Sequence, residues 1–184
     1  VVNQVGLVLR RSPGFALVRD LVRDPAAGRV MAVVFRDDQY LPVQGTYAST
    51  WRGDVALAGA GVLIEHSIHD VDLLEHLVGP VDSVAGRSAG FHGIDGIEDA
   101  IALTVHFAAG AVGSLVSVWH DMLERPNQRR LEVVCESRWV ALDNDWHGPI
   151  RWRDAGGPDQ VLDGWSRSRR PRAEFRSRIS TTSR

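Results

Sequence analysis

The stretch Gly59-Ala60-Gly61-Val62-Leu63-Ile64-Glu65-His66-Ser67-Ile68-His69-Asp70-Val71-Asp72 reads as a glycine-rich lead-in that opens a helix. Residues three and four apart on a helix are surface neighbours, so Glu65, His69 and Asp72 share one stripe, two carboxylates flanking one imidazole, and His76 continues it. The pattern predicts a single helix over about 62–78, with Ile64, Ile68, Val71, Leu74 and Val78 able to pack and Gly79-Pro80 as the stop. The glycines are not a dinucleotide fingerprint, because Ile64 stands where that pattern wants a third glycine; they let the backbone approach closely as the helix begins.

Upstream, residues 1–9 read as a strand entered without a cap. Ser12-Pro13 supplies an N-cap and first helical position for a helix over about 13–24, with Phe15, Leu17, Val18, Leu21 and Val22 at helical spacing. Residues 30–35 are β-rich enough for a buried strand, and 37–58, with Pro42, Gly45, Gly53, Tyr40, Tyr47 and Trp51, read as a long surface loop. Downstream the pattern turns to alternation. Ile101, Leu103, Val105 and Phe107 mark one face of a strand over 99–107, and a short turn at Ala108-Ala109-Gly110 leads into another at 111–119. Further strands are expected at about 81–88, 129–135, 138–143 and 149–153. The sum is an α+β domain over 10–165, an open, mainly antiparallel sheet with helices packed on one face.

The net charge of −2 hides an asymmetry: residues 1–165 hold 14 Arg against 22 acids, whereas 166–184 hold 7 Arg against Glu174 alone. Every cationic side chain is arginine, so the chain has no lysine. The Arg/Ser tail over 166–184 lacks apolar periodicity and is expected to be disordered. Clustered arginine can neutralise phosphates, but with no folded nucleic-acid motif beside it a nucleic-acid partner is not expected. No apolar run approaches a membrane span of roughly 18–20 residues and no signal peptide is evident, so the expected location is cytoplasmic. The single Cys135 sits in an apolar run and is expected to be a buried structural thiol.

Histidine titrates near neutrality and can act as general base or acid, and a carboxylate one turn away can orient it. Spacing alone fits equally a solvated helix face with ordinary intrahelical pairs. His66, His69, Asp70 and Asp72 also cluster, but the two-histidine zinc helix places its ligands four apart, whereas His66 and His69 are three apart, so no metal is expected.

At these residues the chain resembles the glucose-fructose oxidoreductase and inositol dehydrogenase family, Gfo/Idh/MocA, over roughly residues 1–150. The resemblance is carried by Arg10-Arg11-Ser12-Pro13, Trp51-Arg52-Gly53, the Gly-x-Gly-x-Leu-x-acid-x-x-x-His-x-x-Asp pattern at 59–72, Leu73-Leu74 with Gly79-Pro80, and Phe107 to Gly113. It implies the substrate-side C-terminal domain of an NAD- or NADP-dependent dehydrogenase acting on a sugar, cyclitol or similar hydroxyl. His69 would be the catalytic histidine and Glu65 its acidic partner, a position usually Asp. Asp72 would bind substrate, with His66, Trp51 and Arg52 beside it. The open sheet implies a homo-oligomer, and residues 1–9 correspond to the last strand of a Rossmann domain otherwise absent. The family's Glu-Lys-Pro lysine is likewise absent, so the chain reads as a fragment inactive alone. The alternatives are a non-catalytic dimerising or binding module of the same fold, or a basic-tailed nucleic-acid binder.

Overall fold

The computed structural model describes residues 2–3, 5–45, 47–122 and 124–163. A 3-10 turn (Val8–Arg11) leads into α1 (Pro13–Val22), followed by β1 (Val30–Tyr40). The chain then crosses through a 3-10 turn (Thr50–Gly53) and three helical pieces, α2 (Val55–Ala58), α3 (Val62–Glu65) and α4 (Ile68–Leu77). Seven strands follow: β2 (Val81–Ala89), β3 (Ala100–Phe107), β4 (Val112–His120), β5 (Gln128–Cys135), β6 (Arg138–Leu142), β7 (Ile150–Asp154) and β8 (Gln160–Leu162). They form one sheet in the order β2-β3-β4-β1-β5-β6-β7-β8. The chain enters this sheet at its middle, crosses to the β2 edge, returns to lay β4 against β1, and meanders outward from β5.

All pairings are antiparallel except β1 with β4, which run parallel with Ala32 opposite Val112 and Tyr40 opposite His120. A parallel pair needs a long crossover, and α2 to β3 supply it. Helices α1 and α4 lie on one face of the sheet. Phe15, Val18, Leu73, Leu74 and Leu77 are buried there with Val33, Phe35, Leu115, Leu131, Val133 and Leu142. On the other face Val34, Val112 and Val116 are exposed.

Several expectations need correction. Residues 2–3 and 5–7 carry no strand and Val8–Arg11 is a 3-10 turn; a strand exists only through a pairing partner, and the partners expected for 1–9 belong to the sheet of another domain. The strand expected to end at 35 runs on to Tyr40, taking in Asp37, Asp38 and Gln39, all buried. The supposed loop over 37–58 is therefore partly strand and partly helical turns. The predicted helix over 62–78 is broken at His66-Ser67. There Ser67 N–H reaches back to the Val62 carbonyl at 2.9 Å, and His69 and Asp70 bond only three residues back, to His66 and Ser67. The break turns the face of the second piece, so Ile64 and Ile68 are exposed and Leu73 and Leu77 are buried with Leu74 instead. β8 was not expected from the sequence. The tail over 166–184 lies outside the described residues, and no helix among them is long and apolar enough to cross a membrane.

Candidate active site

The glycine-rich lead-in is placed by Glu98. Its carboxylate accepts from the N–H of Gly61 at 2.8 Å and of Leu63 at 2.9 Å, and its carbonyl accepts from Val62 at 2.8 Å. These are donors at the start of α3 that the helix itself cannot satisfy, and a carboxylate is the favoured group at that end. Gly61 allows the approach, because a Cβ there would lie 1.8 Å from the Glu98 carbonyl oxygen.

Beyond this entry α3, the kink and α4 form one wall of a cavity of about 370 Å³, to which they contribute Glu65, His66 and His69. Asp37 and Gln39 from the end of β1, Arg129 from β5, and Asn127 ahead of it form the floor. Leu9, Pro42, Tyr47, Arg52, Asp145 and Trp146 complete the rim. A larger hollow of about 530 Å³ lies along β6 and β7, but its charged groups are neutralised in the pairs Arg29–Glu136, Arg138–Asp154 and Arg153–Asp159. The cavity beside His69 is where the unpaired chemistry lies.

His69 is half-buried, and its Nδ1 is buried without a hydrogen-bond partner. Burial, then the positive charge of His66 and of Arg129, hold its proton affinity below that of an ordinary histidine, against a smaller opposing pull from Glu65 and Asp72. Such a ring is neutral near pH 7 and able to accept a proton. Glu65 does not bond to it. Its Oε1 accepts from Arg52 Nε at 2.6 Å, and the Arg52 guanidinium lies 4.8 Å from the centre of the Trp51 ring.

On the floor, His66 Nε2 lies 2.6 Å from Asp37 Oδ2. Arg129 reaches Asp37 at 2.9 Å, Asp145 at 2.9 Å and Asp70 at 3.4 Å. Asp37, His66 and Asp70 present ligand atoms within 4.8 Å of one another, and the cation they face is this guanidinium. Burial drives the Asp37 carboxyl upward, but the His66 hydrogen bond and the charges of His66 and Arg129 outweigh it and leave Asp37 below the usual range. Asp70 is fully buried with Oδ2 unpartnered. Burial and the neighbouring Asp37 charge hold it well above the usual carboxylate range, against the opposing pull of Arg129. Asn144 and Asp145 both have positive φ, 61° and 60°, a backbone that asparagine and aspartate adopt more readily than other non-glycine residues. The Arg129 contact holds Asp145 in that conformation.

The structure brings Glu65, His66, His69 and Arg52 together around one cavity. Trp51 packs on Arg52 just outside it and is 45% exposed. Asp72 does not line the cavity, although its charge acts on His69: its carboxylate is held by both Nε and Nη2 of Arg10, with Nε–Oδ2 at 2.6 Å. His76 lies off the cavity, with its carbonyl bound by Arg23. Asp37 and Arg129 were missed, and Asp70 was weighed only as a metal ligand. The available signal was period two: Val33, Phe35, Asp37 and Gln39 continue one buried face. Asp38 points to the opposite face, where Arg125 holds it bidentately and Arg36 lies 2.7 Å away.

A model of the GFO/IDH/MocA C-terminal domain matches residues 15–141. This chain belongs to that family. Within the GFO/IDH/MocA family it is 31% identical over 116 residues to 1,5-anhydro-D-fructose reductase of Ensifer adhaerens, covering 61% of this chain and 32% of that protein. It is 25% identical over 138 residues to levoglucosan dehydrogenase of Pseudarthrobacter phenanthrenivorans, covering 62% and 35%. Among solved structures it superposes on levoglucosan dehydrogenase in complex with NADH and levoglucosan, with a TM-score of 0.77 at 21% identity, over 89% of this chain and 47% of that one. An oxidoreductase domain protein from Kribbella flavida gives 0.74 at 27% identity, over 86% and 46%. The chain thus spans about a third of the curated relatives' length and about half of the solved ones.

Proposed function

We propose that this chain supplies the substrate side of an NAD- or NADP-dependent dehydrogenase that acts on a hydroxyl of a sugar, cyclitol or similar polyol, with His69 as proton acceptor. The observation that carries the reading is the state of His69: an imidazole on a polar cavity wall, held neutral, with no carboxylate bonded to it. Relatives named for levoglucosan and for 1,5-anhydro-D-fructose support a sugar-like substrate.

Oxidation of a secondary alcohol removes a proton from oxygen and a hydride from carbon, and the residues of this chain serve the proton. His69 takes it from the substrate hydroxyl, and the imidazolium so formed is stabilised by the Glu65 and Asp72 charges nearby. Gln39 and Asn127 on the floor and Tyr47 and Asp145 on the rim offer hydrogen-bonding groups for further hydroxyls.

The described residues do not fit a dinucleotide. The N–H groups of Gly61, Val62 and Leu63, which at such a helix start would cradle a phosphate, are taken by Glu98. In this reading the nucleotide is held by a part of the protein beyond these residues, as is any lysine that polarises the reacting oxygen, since the chain contains none. The face of the sheet on which Val34, Val112 and Val116 are exposed is the surface for a second copy. In a protein that carries the nucleotide-binding part, His69→Ala lowers kcat by roughly 10²-fold or more, as loss of a general base does. An unchanged kcat removes His69 from catalysis.

A further inference from the structure

We infer that Arg129 is the positioning residue of this cavity: its guanidinium locks His66 onto Asp37 and leaves His69 as the imidazole open to substrate. The inference rests on the reading of His69 as proton acceptor and extends it to a residue outside the set that the sequence pattern singles out.

The argument is geometric first. Arg129 stands on β5 and reaches three separate elements: Asp37 on β1 at 2.9 Å, Asp70 on α4 at 3.4 Å and Asp145 on the rim at 2.9 Å. Only a planar fork with several fixed donors spans three such partners; an ammonium on a flexible stem is a single point charge. The same Nη2 that meets Asp37 also lies 2.9 Å from His66 Nε2. A guanidinium has no lone pair, and Asp37 Oδ2 lies 2.6 Å from that same ring nitrogen. Two acceptors would not face each other so closely, so Nε2 carries a proton and donates it to Asp37, while Arg129 donates to Asp37 beside it. His66 is therefore fixed in tautomer and orientation by a carboxylate that Arg129 in turn fixes.

His69 has the opposite surroundings. The acids that face it are engaged elsewhere: Glu65 across the kink by Arg52, Asp72 on its own helix by Arg10, and Asp37 and Asp145 by Arg129. The cations that face it are Arg52 on the 3-10 turn, Arg129 on β5 and His66 in the kink when protonated. Two rings whose centroids are 6.5 Å apart thus have different environments. One is clamped to a buried acid and the other is kept free of one. Removing the Arg129 charge acts on both. It loosens the His66–Asp37 clamp and makes a protonated His69 less unfavourable.

The test follows histidine ring signals by NMR on the intact protein between about pH 5 and 9. The wild type should show a downfield His66 Nε2 proton protected from exchange. In Arg129→Gln that proton is lost and the His69 midpoint rises, the direction that removal of a nearby positive charge requires. Arg129→Lys, which restores the charge without the fork, returns the His69 midpoint toward the wild-type value but does not restore the His66 proton. A folded Arg129→Gln with both signals unchanged overturns the inference. Should Arg129→Gln fail to fold, Arg129→Lys decides it, since a protected His66 proton in that variant shows the fork is not needed. The His69→Ala rate measurement tests the catalytic reading separately, because the ring titrations do not depend on turnover.

Discussion

Gly61→Ala separates the two reasons a glycine can stand at the start of this helix. A Cβ on Gly61 would meet the Glu98 carbonyl oxygen at 1.8 Å, its N at 2.6 Å and its carbonyl carbon at 2.7 Å, all backbone atoms with no rotamer to give. The segment bearing Glu98 must therefore retreat from α3. Its retreat breaks the Val62 N–H bond to the Glu98 carbonyl and strains the two N–H bonds to the Glu98 carboxylate. A neutral hydrogen bond is worth about 1 kcal/mol net and one to a charged group about 1.5–3, so losing one of each costs about 2.5–4 kcal/mol. Gly59 is the natural control: its φ is 84°, but nothing lies within 4 Å of where a Cβ would sit. Gly59→Ala then carries only the conformational cost, about 1–2 kcal/mol. Urea unfolding followed by tryptophan fluorescence, with the buried Trp119 as reporter, measures both. A Gly61→Ala loss below about 0.5 kcal/mol, or a larger loss for Gly59→Ala, refutes the close-approach account, given the expected order above.

Asp70→Asn tests the raised proton affinity of this buried acid. Because the folded-state carboxyl is raised above the ordinary 3.8, folding takes up a proton at higher pH, and the wild type loses stability as pH rises from about 4 through the folded value. The asparagine variant lacks that loss, so chemical denaturation across a pH series should show it gaining on the wild type as pH rises; the reverse trend means Asp70 is ionised in the fold. Leu73→Ala, at a position with no exposed surface, should cost about 2–5 kcal/mol in thermal or chemical unfolding. A loss below about 1 kcal/mol would mean that α4 is not seated on the sheet as described.

The strands from β3 to β7 were legible because one face of the sheet is buried there and the other is largely not, which writes period two into residues such as Ile101, Leu103, Val105 and Phe107; β2, exposed along its length, owes nothing to that pattern. α1 was legible for the matching reason, since Phe15, Leu17, Val18, Leu21 and Val22 all bury. The kink at His66-Ser67 was not, because apolar residues continue through it at helical spacing and the break lies in the hydrogen bonding. Nor was the outer half of β1. Arg36-Asp37-Asp38-Gln39 reads as a polar loop until the partners of those carboxylates are known, and Arg129 and Arg125 lie about ninety residues further along. The histidine and its acid were thus visible as a local pattern, whereas the network beneath them depends on strand pairing, which the local pattern does not record. The parallel partner of β1 was hidden for the same reason.

That parallel pairing also sets an order of assembly. The β3–β4 hairpin and the β5-β6-β7 meander close short loops and can form on their own contacts. β1 joins Ala32 to Val112 on one side and Val30 to Cys135 on the other, so the centre of the sheet waits for the longest closures among its strand pairs. Asp37 reaches Arg129 only when β1 is in register with β5, where the two residues stand opposite each other. The His66–Asp37 contact is therefore a timestamp: its proton signal would appear when the last long-range pairing closes, and would report completion of the whole domain.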